Sequence, residues 1–275
     1  MVNSVPLAEL IALAAALAAA GIVAGLLAGI FGVGGGGVIV PALYQALVIL
    51  GFPASVTMHV ALGSSLAFII PTSIRSFQAH RARGAVDMAI LRSWLIPVPL
   101  AVLAASFVAG SVSGAELRGI FAAIAFLVGI RLLFNRESWR LGSQVPGGPI
   151  RALVGALIGF LSTLMGVGGG VMANTFMTVF GRPIHQAVAT ASGVGVLIAI
   201  PGTIGYVAAG WGADELPPFS LGYVNLLAVA IIMPLSFVMA PIGVRIAHAL
   251  SKRQLEISFG LFLILMAARF AWSLL

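Results

Sequence analysis

Turn residues and isolated charges cut this chain into about ten apolar segments: 7–31, 37–51, 54–78, 87–112, 115–134, 149–165, 170–180, 185–210, 219–247 and 252–274. Several exceed the ~18 apolar residues that suggest a membrane-spanning helix. The pattern predicts an all-α fold, a polytopic transmembrane helical bundle. The most polar stretch, 135–149 (NRESWRLGSQVPGGP), reads as a cytoplasmic linker between an N-terminal repeat at 1–134 and a C-terminal repeat at 150–275.

The two halves resemble each other. Phe31-Gly32-Val33-Gly34-Gly35-Gly36 matches Met165-Gly166-Val167-Gly168-Gly169-Gly170. Each motif ends an apolar helix and precedes a short apolar segment of about 10–15 residues, under ~23 Å as a helix and too short to cross a ~30 Å hydrocarbon core upright. A longer segment then follows, with Pro71-Thr72-Ser73 in one half and Pro201-Gly202-Thr203 in the other.

Composition agrees with the pattern. Hydrophobic residues make up 61% of the chain and charged residues 8%, with a mean hydropathy of +1.16, too little polar surface to cover a water-soluble globule. The net charge of +7 does not indicate nucleic acid, because the basic residues fall at the ends of apolar runs rather than on one face or arm. Cysteine is absent, which excludes disulfides, thiol catalysis and thiolate metal sites. No Lys or Arg precedes Arg75, so the N-terminus is not a cleavable signal peptide of usual form, and the stretch from Leu7 to Ile30 reads as a helix of the mature protein.

Arginine sets the expected orientation. Arg75, Arg81 and Arg83 mark one loop, Arg136, Arg140 and Arg151 the linker, and Arg245, Lys252 and Arg253 a third loop; all three are placed in the cytoplasm. Asp214 and Glu215 mark a loop outside. Segment 54–78 then runs outward to inward and its partner 185–210 inward to outward. The halves are expected to be inverted repeats with both termini outside, an architecture of many secondary transporters.

The glycine strings predict broken or re-entrant helices near the membrane midplane. Each Gly costs about 1 kcal/mol in a helix interior relative to Ala, and non-helical backbone at membrane depth survives only inside protein or along a cavity. A helix that restarts after such a break offers free N–H groups and the positive end of its dipole, with no side chain to keep an anion away. Gly32, Gly34, Gly35, Gly36, Gly166, Gly168, Gly169 and Gly170 are therefore expected to line a site for a small oxyanion. Gly32, Gly34 and Gly37 also fit a dinucleotide fingerprint, but no strand precedes them and no acidic residue follows at the required distance. A phosphate loop would need Lys-Ser/Thr after the glycines, where Val stands. Close packing is the competing role, and it suits Gly21, Gly25 and Gly29, which are spaced by four.

Polar residues inside apolar segments are the other candidates. Ser64, Ser65, Thr72 and Ser73 follow the first break; Thr190, Ser192 and Thr203 follow the second. Hydroxyls donate to an anion without a fixed charge, although they also satisfy backbone carbonyls within helices. Asn174, four residues after Gly170, is a strong donor in an apolar run, and Gln45 is similar. His59 and His185 each start a long segment and, with Arg75, are candidates for gating or coupling. The seven acidic residues fall near segment ends, which disfavours a cationic substrate and a carboxylate proton relay. No catalytic constellation, metal site or cofactor motif is visible.

At the two glycine motifs the chain resembles the TauE/SafE sulfite exporter family. His80-Arg81-Ala82-Arg83-Gly84-Ala85-Val86-Asp87 and Ala187-Val188-Ala189-Thr190-Ala191-Ser192 are also similar to that family, whereas Ser64-Ser65 departs from its common Thr-Ser. The resemblance implies export of sulfite or a related sulfur compound, such as a small organosulfonate, by a multi-pass protein of a bacterial inner membrane. A transporter of another small organic anion, and a membrane assembly or sensor subunit without transport, are the alternatives.

Overall fold

The computed structural model describes residues 7–31, 36–134, 141–142 and 144–274. The described chain is almost wholly helical: α1 (Leu7–Phe31), α2 (Gly36–Ile49), α3 (Ala54–Ala82), α4 (Met88–Ser93), α5 (Pro97–Ser111), α6 (Gly114–Leu133), α7 (Gly148–Leu164), α8 (Gly170–Val179), α9 (Ile184–Ala209), then a minimal hairpin β1 (Ser220–Leu221) and β2 (Val224–Asn225), α10 (Leu226–His248) and α11 (Lys252–Trp272). Among the described residues, α1, α3, α9, α10 and α11 are long and apolar enough to cross a membrane. Large apolar side chains such as Leu100, Phe107, Leu127, Phe237, Val238 and Leu265 are exposed, as they must be where the solvent is lipid. The molecule is an all-α, multi-pass helical membrane protein.

Three boundaries differ from the expected segments. α3 continues through Pro71 to Ala82, so Arg75, His80 and Arg81 lie on a helix rather than in a loop; no Gly or Pro stands between Pro71 and Gly84, which sits at φ +66°. Segment 87–112 divides into α4 and α5 at Trp94–Ile96, where Pro97 opens the second helix. Proline lacks the N–H that would continue the first helix and disfavours a helical residue before it. Segment 219–247 starts as the hairpin, and its helix begins only at Leu226. Asn225 fixes that start by accepting the Ala228 N–H at 2.7 Å while its side-chain amide donates to the Pro218 carbonyl at 2.8 Å.

Glycines set the helix pairing. Methyl groups added at Gly21, Gly25 and Gly29 would strike Ile232, Ser236 and Ala240 in turn, so α1 and α10 run parallel with backbones in contact. Ser236 adds a hydroxyl donated to the Gly21 carbonyl at 3.0 Å. α7 meets α5 the same way: Gly155 faces Trp94 just ahead of α5, and Gly159 faces Val98, again in parallel. α3 and α9 are antiparallel, with Gly63 on Tyr206, Gly202 on Leu66 and Gly195 on Ser73. α6 and α11 are antiparallel too, with Gly119 near Leu274 and Gly129 against Gly260 and Ile264.

Basic groups gather at one end. Arg182 pairs with Asp87 at 3.1 Å, Trp94 donates its indole N–H to the Arg151 carbonyl at 2.8 Å, and Arg253 donates to the carbonyls of Leu132 and Leu133. The opposite end holds the start of α3, the end of α5, the Asp214–Glu215 loop and the hairpin, whose Tyr223 lies against Gly63 and Gly210. The described carboxylates of Asp87, Glu116, Asp214, Glu215 and Glu256 all lie at helix ends or in loops.

Candidate functional site

The second glycine break is fully described. α7 stops at Leu164, and the Gly166 and Val167 N–H groups turn back onto the Thr163 and Ser162 carbonyls at 3.1 and 2.9 Å. Gly166 and Gly169 adopt φ +63° and +69°, a conformation that glycine reaches with least strain. Gly169 caps α8, and no side chain caps the helix in its place. Leu141 N–H donates to the Val179 carbonyl at 3.0 Å, which ties the far end of α8 to the chain just before α7. α7 and α8 thus form a hairpin that enters from the arginine-rich end and returns to it.

The start of α2 touches this break. A methyl at Gly36, the first residue of α2, would stand 2.9 Å from the Gly166 carbonyl oxygen and 3.0 Å from Val167 Cα. Ser65 on α3 donates to that same Gly166 carbonyl at 2.8 Å, and Tyr206 on α9 donates to the Thr163 carbonyl at 3.2 Å. The crossing helices therefore pin the break in shape.

A cavity of about 1380 Å³ lies beside it, bounded by α3, α6, α7, α8, α9 and α11. Its inner end reaches Ile69, Ser73, Gly168, Gly170, Asn174 and Ser192. Its mouth, at the arginine-rich end, holds Arg131, Arg182 and Glu256. A methyl at Gly170 would meet nothing within 4 Å, so the backbone at the start of α8 faces open space. The N–H groups of a first helical turn have no intrahelical acceptor and carry the positive end of the dipole. Asn174, one turn further along, has a buried Oδ1 with no hydrogen-bond partner. Such an atom is costly unless something enters to meet it.

The candidate residues separate into two groups. Gly168, Gly170, Asn174 and Ser192 line the cavity together. Gly36, Gly166 and Gly169 are spent on the contact between the start of α2 and the second break and on the turn itself. Gly32, Gly34 and Gly35 lie outside the described residues. Ser64, Ser65 and Thr190 are buried away from the cavity and bond to backbone: Ser64 accepts the Asn225 N–H at 2.8 Å, and Thr190 accepts the Asp87 N–H and donates to the Gln186 carbonyl, both at 2.8 Å. These three hydroxyls hold helices in register.

The three gating candidates do not come together. His59 is buried at the end opposite the cavity mouth, with Nε2 at 3.0 and 3.1 Å from the Ala109 and Val112 carbonyls and its ring stacked on Tyr223 at 4.6 Å. His185 is exposed at the start of α9. Arg75 is exposed on α3, its guanidinium 5.7 Å from the Phe237 ring centroid.

Ser76, Thr175, Thr178, Arg131 and Arg182 also line the cavity and were not singled out from the sequence. A signal was present for some: Thr72 and Ser76, like Asn174 and Thr178, are four residues apart, on one helix face.

A buried break, a helix N-terminus open to a deep cavity and a lipid-facing exterior define a membrane transport protein. The chain belongs to the sulfite exporter TauE/SafE family, whose sequence profile matches residues 17–270. It is 33% identical over 239 residues to a probable membrane transporter protein of Haemophilus influenzae, covering 86% of this chain and 90% of that one. A probable membrane transporter protein of Methanocaldococcus jannaschii is 26% identical over 83% of this chain and 84% of its own length. A third probable membrane transporter protein, YunE of Bacillus subtilis, is 22% identical over 89% of this chain and 92% of its own. No solved structure matches the chain.

Proposed function

We propose that this transporter exports a small sulfur oxyanion, sulfite, from the cytoplasm of a bacterial cell across the inner membrane. The observation that carries the reading is the bare N-terminus of α8 opening onto a cavity beside the unpartnered Asn174 Oδ1. An oxyanion there accepts from the free N–H groups, and the Asn174 amide, turned over, donates a further bond. Ser73 supplies a hydroxyl on the facing α3, while the Ser192 hydroxyl is donated to the Ala189 carbonyl at 2.6 Å and would have to turn to reach an anion.

The arginine-rich end is assigned to the cytoplasm, so the cavity is the inward-facing state. The halves 1–134 and 150–275, joined by the 135–149 linker, are read as inverted repeats. The pairing supports this: α1 packs parallel on α10 as α7 packs parallel on α5, while α3 with α9 and α6 with α11 cross antiparallel. A rocking of one repeat against the other would move access from one side of the contact between α2 and the second break to the other. An inside-negative membrane potential favours anion exit by about 2.3 kcal/mol per charge at 100 mV, so no coupling ion is demanded by energetics.

Proteoliposomes loaded with radiolabelled sulfite test the reading. Gly170→Leu projects into open space, so it is expected to fold and to block efflux at least about tenfold. Unaltered efflux in a folded Gly170→Leu protein would sink the proposed site. A second reading rests on the cavity itself, which is far larger than sulfite needs and is partly walled by Leu127, Val154, Ile158 and Phe259. It makes a small alkylsulfonate the cargo, and external loading with methanesulfonate in place of sulfite separates the two.

A further inference from the structure

Among the described arginine side chains, Arg118 and Arg269 alone sit in the half of the molecule away from the arginine-rich end. Arg118 follows the start of α6 and Arg269 is in the last turn of α11, and these helices cross antiparallel. Both reach α2, at adjacent residues. Arg118 Nη1 donates to the Tyr44 hydroxyl at 2.9 Å, and Arg269 Nη2 stands 3.5 Å from Gln45 Oε1. Tyr44 is buried and held edge-on to Phe270 at 4.9 Å, so its hydroxyl fixes the guanidinium of Arg118. Arg118 Nε is buried and has no acceptor among the described residues. The described carboxylates are engaged elsewhere or lie apart: Asp87 with Arg182, Glu256 with Arg253, and Glu116 with the Ser113 N–H at 2.6 Å.

This placement runs against topology. Basic residues are favoured at the cytoplasmic side of membrane proteins, and a buried guanidinium donor left unpaired is unfavourable. A guanidinium fork matches an oxyanion, and these two forks reach successive residues of one helix. The arrangement also echoes the cavity: Arg131, in the last turn of α6, lines it together with α8, as Arg269, in the last turn of α11, reaches α2.

We propose that Arg118 and Arg269, presented on Tyr44 and Gln45 of α2, form a second, outer station for a small sulfur oxyanion. The anion reaches it after passing the double break, on its way out. The inference rests on the transport reading and on its orientation, and it goes beyond them by naming where the leaving anion is held.

Right-side-out vesicles loaded with radiolabelled sulfite test it. Unlabelled sulfite added outside occupies the outer station and changes the rate of label exit. The readout is the ratio of external to internal half-effect sulfite concentrations. Loss of two charge-assisted contacts in Arg118→Gln/Arg269→Gln is expected to raise that ratio about tenfold or more, and Arg118→Lys/Arg269→Lys to restore part of it. Arg269 is exposed, so Arg269→Gln alone folds and is expected to raise the ratio about threefold. An unchanged ratio in Arg269→Gln and in the folded double variant overturns the outer station while leaving sulfite export intact. If wild-type vesicles release no label, export of sulfite is overturned instead. Equilibrium binding of labelled sulfite to the purified protein then decides the station: weakening in Arg269→Gln supports it, and equal binding overturns it.

Discussion

The glycines of the second motif do different jobs only a few residues apart. Gly166 sits at φ +63°, and a methyl there would lie 2.8 Å from Val40 Cγ2 and 3.0 Å from Leu62 Cα. Gly166→Ala is expected to cost about 1–3 kcal/mol, through both backbone strain and overpacking. Gly170→Ala, at the open start of α8, should stay within about 0.5 kcal/mol of wild type. Thermal unfolding in detergent, followed by circular dichroism, compares the two; equal losses would contradict the separation of roles. At this scale the sequence was partly legible. Asn174 stood out because an amide in an apolar run must meet something. Ser64, Ser65 and Thr190 do not differ from it on paper, since a hydroxyl can satisfy a backbone group as readily as a ligand, and in the structure they meet Asn225, Gly166 and Asp87. Arg131 and Arg182 were hidden for the opposite reason: an arginine at a segment end reads as a topological marker whether or not a cavity lies beside it.

Among the elements, the seam between α1 and α10 carries the clearest expectation. A methyl at Gly25 would lie 2.4 Å from Ser236 Cα, so no side chain fits without parting the helices. Gly25→Leu is expected to remove most monodisperse protein from detergent extracts, whereas Gly119→Ala, which meets only Leu274 Cδ1 at 3.7 Å, should leave the yield unchanged. Size-exclusion profiles of the two variants check this, and an intact Gly25→Leu profile would mean that the seam is dispensable. Helix ends marked by Gly or Pro were legible in the sequence, as were the short helices after each glycine string. The division at Trp94–Ile96 was not, because those residues are apolar and Trp94 is wholly buried. The hairpin before α10 is not legible because Phe219-Ser220-Leu221 leads into an apolar run, and the cap that starts the helix is the single residue Asn225.

For the whole molecule, the cavity takes in Arg131, Arg182 and Glu256 at the arginine-rich end. The chain contains no cysteine, so single substitutions give clean accessibility probes. Ser76→Cys and Thr178→Cys, both on the cavity wall, are expected to react with a membrane-impermeant thiol reagent in inside-out vesicles and to be protected in right-side-out ones. The reverse pattern would turn the orientation over. Charge distribution made the orientation arguable from sequence, because Arg is scarce and placed at segment ends. The cavity was not legible in that way, since it is assembled from six helices drawn from both halves of the chain.

The parallel pairing of α1 with α10 also bears on how the protein is made. The partner of the Gly21–Gly29 stripe lies about 200 residues further along the chain. During synthesis the first helix enters the bilayer long before Ile232, Ser236 and Ala240 exist, and its glycine stripe faces lipid or a borrowed neighbour until they arrive. Assembly of the bundle is therefore completed from the C-terminal side, and a chain interrupted before α10 would leave its earliest helix unmatched.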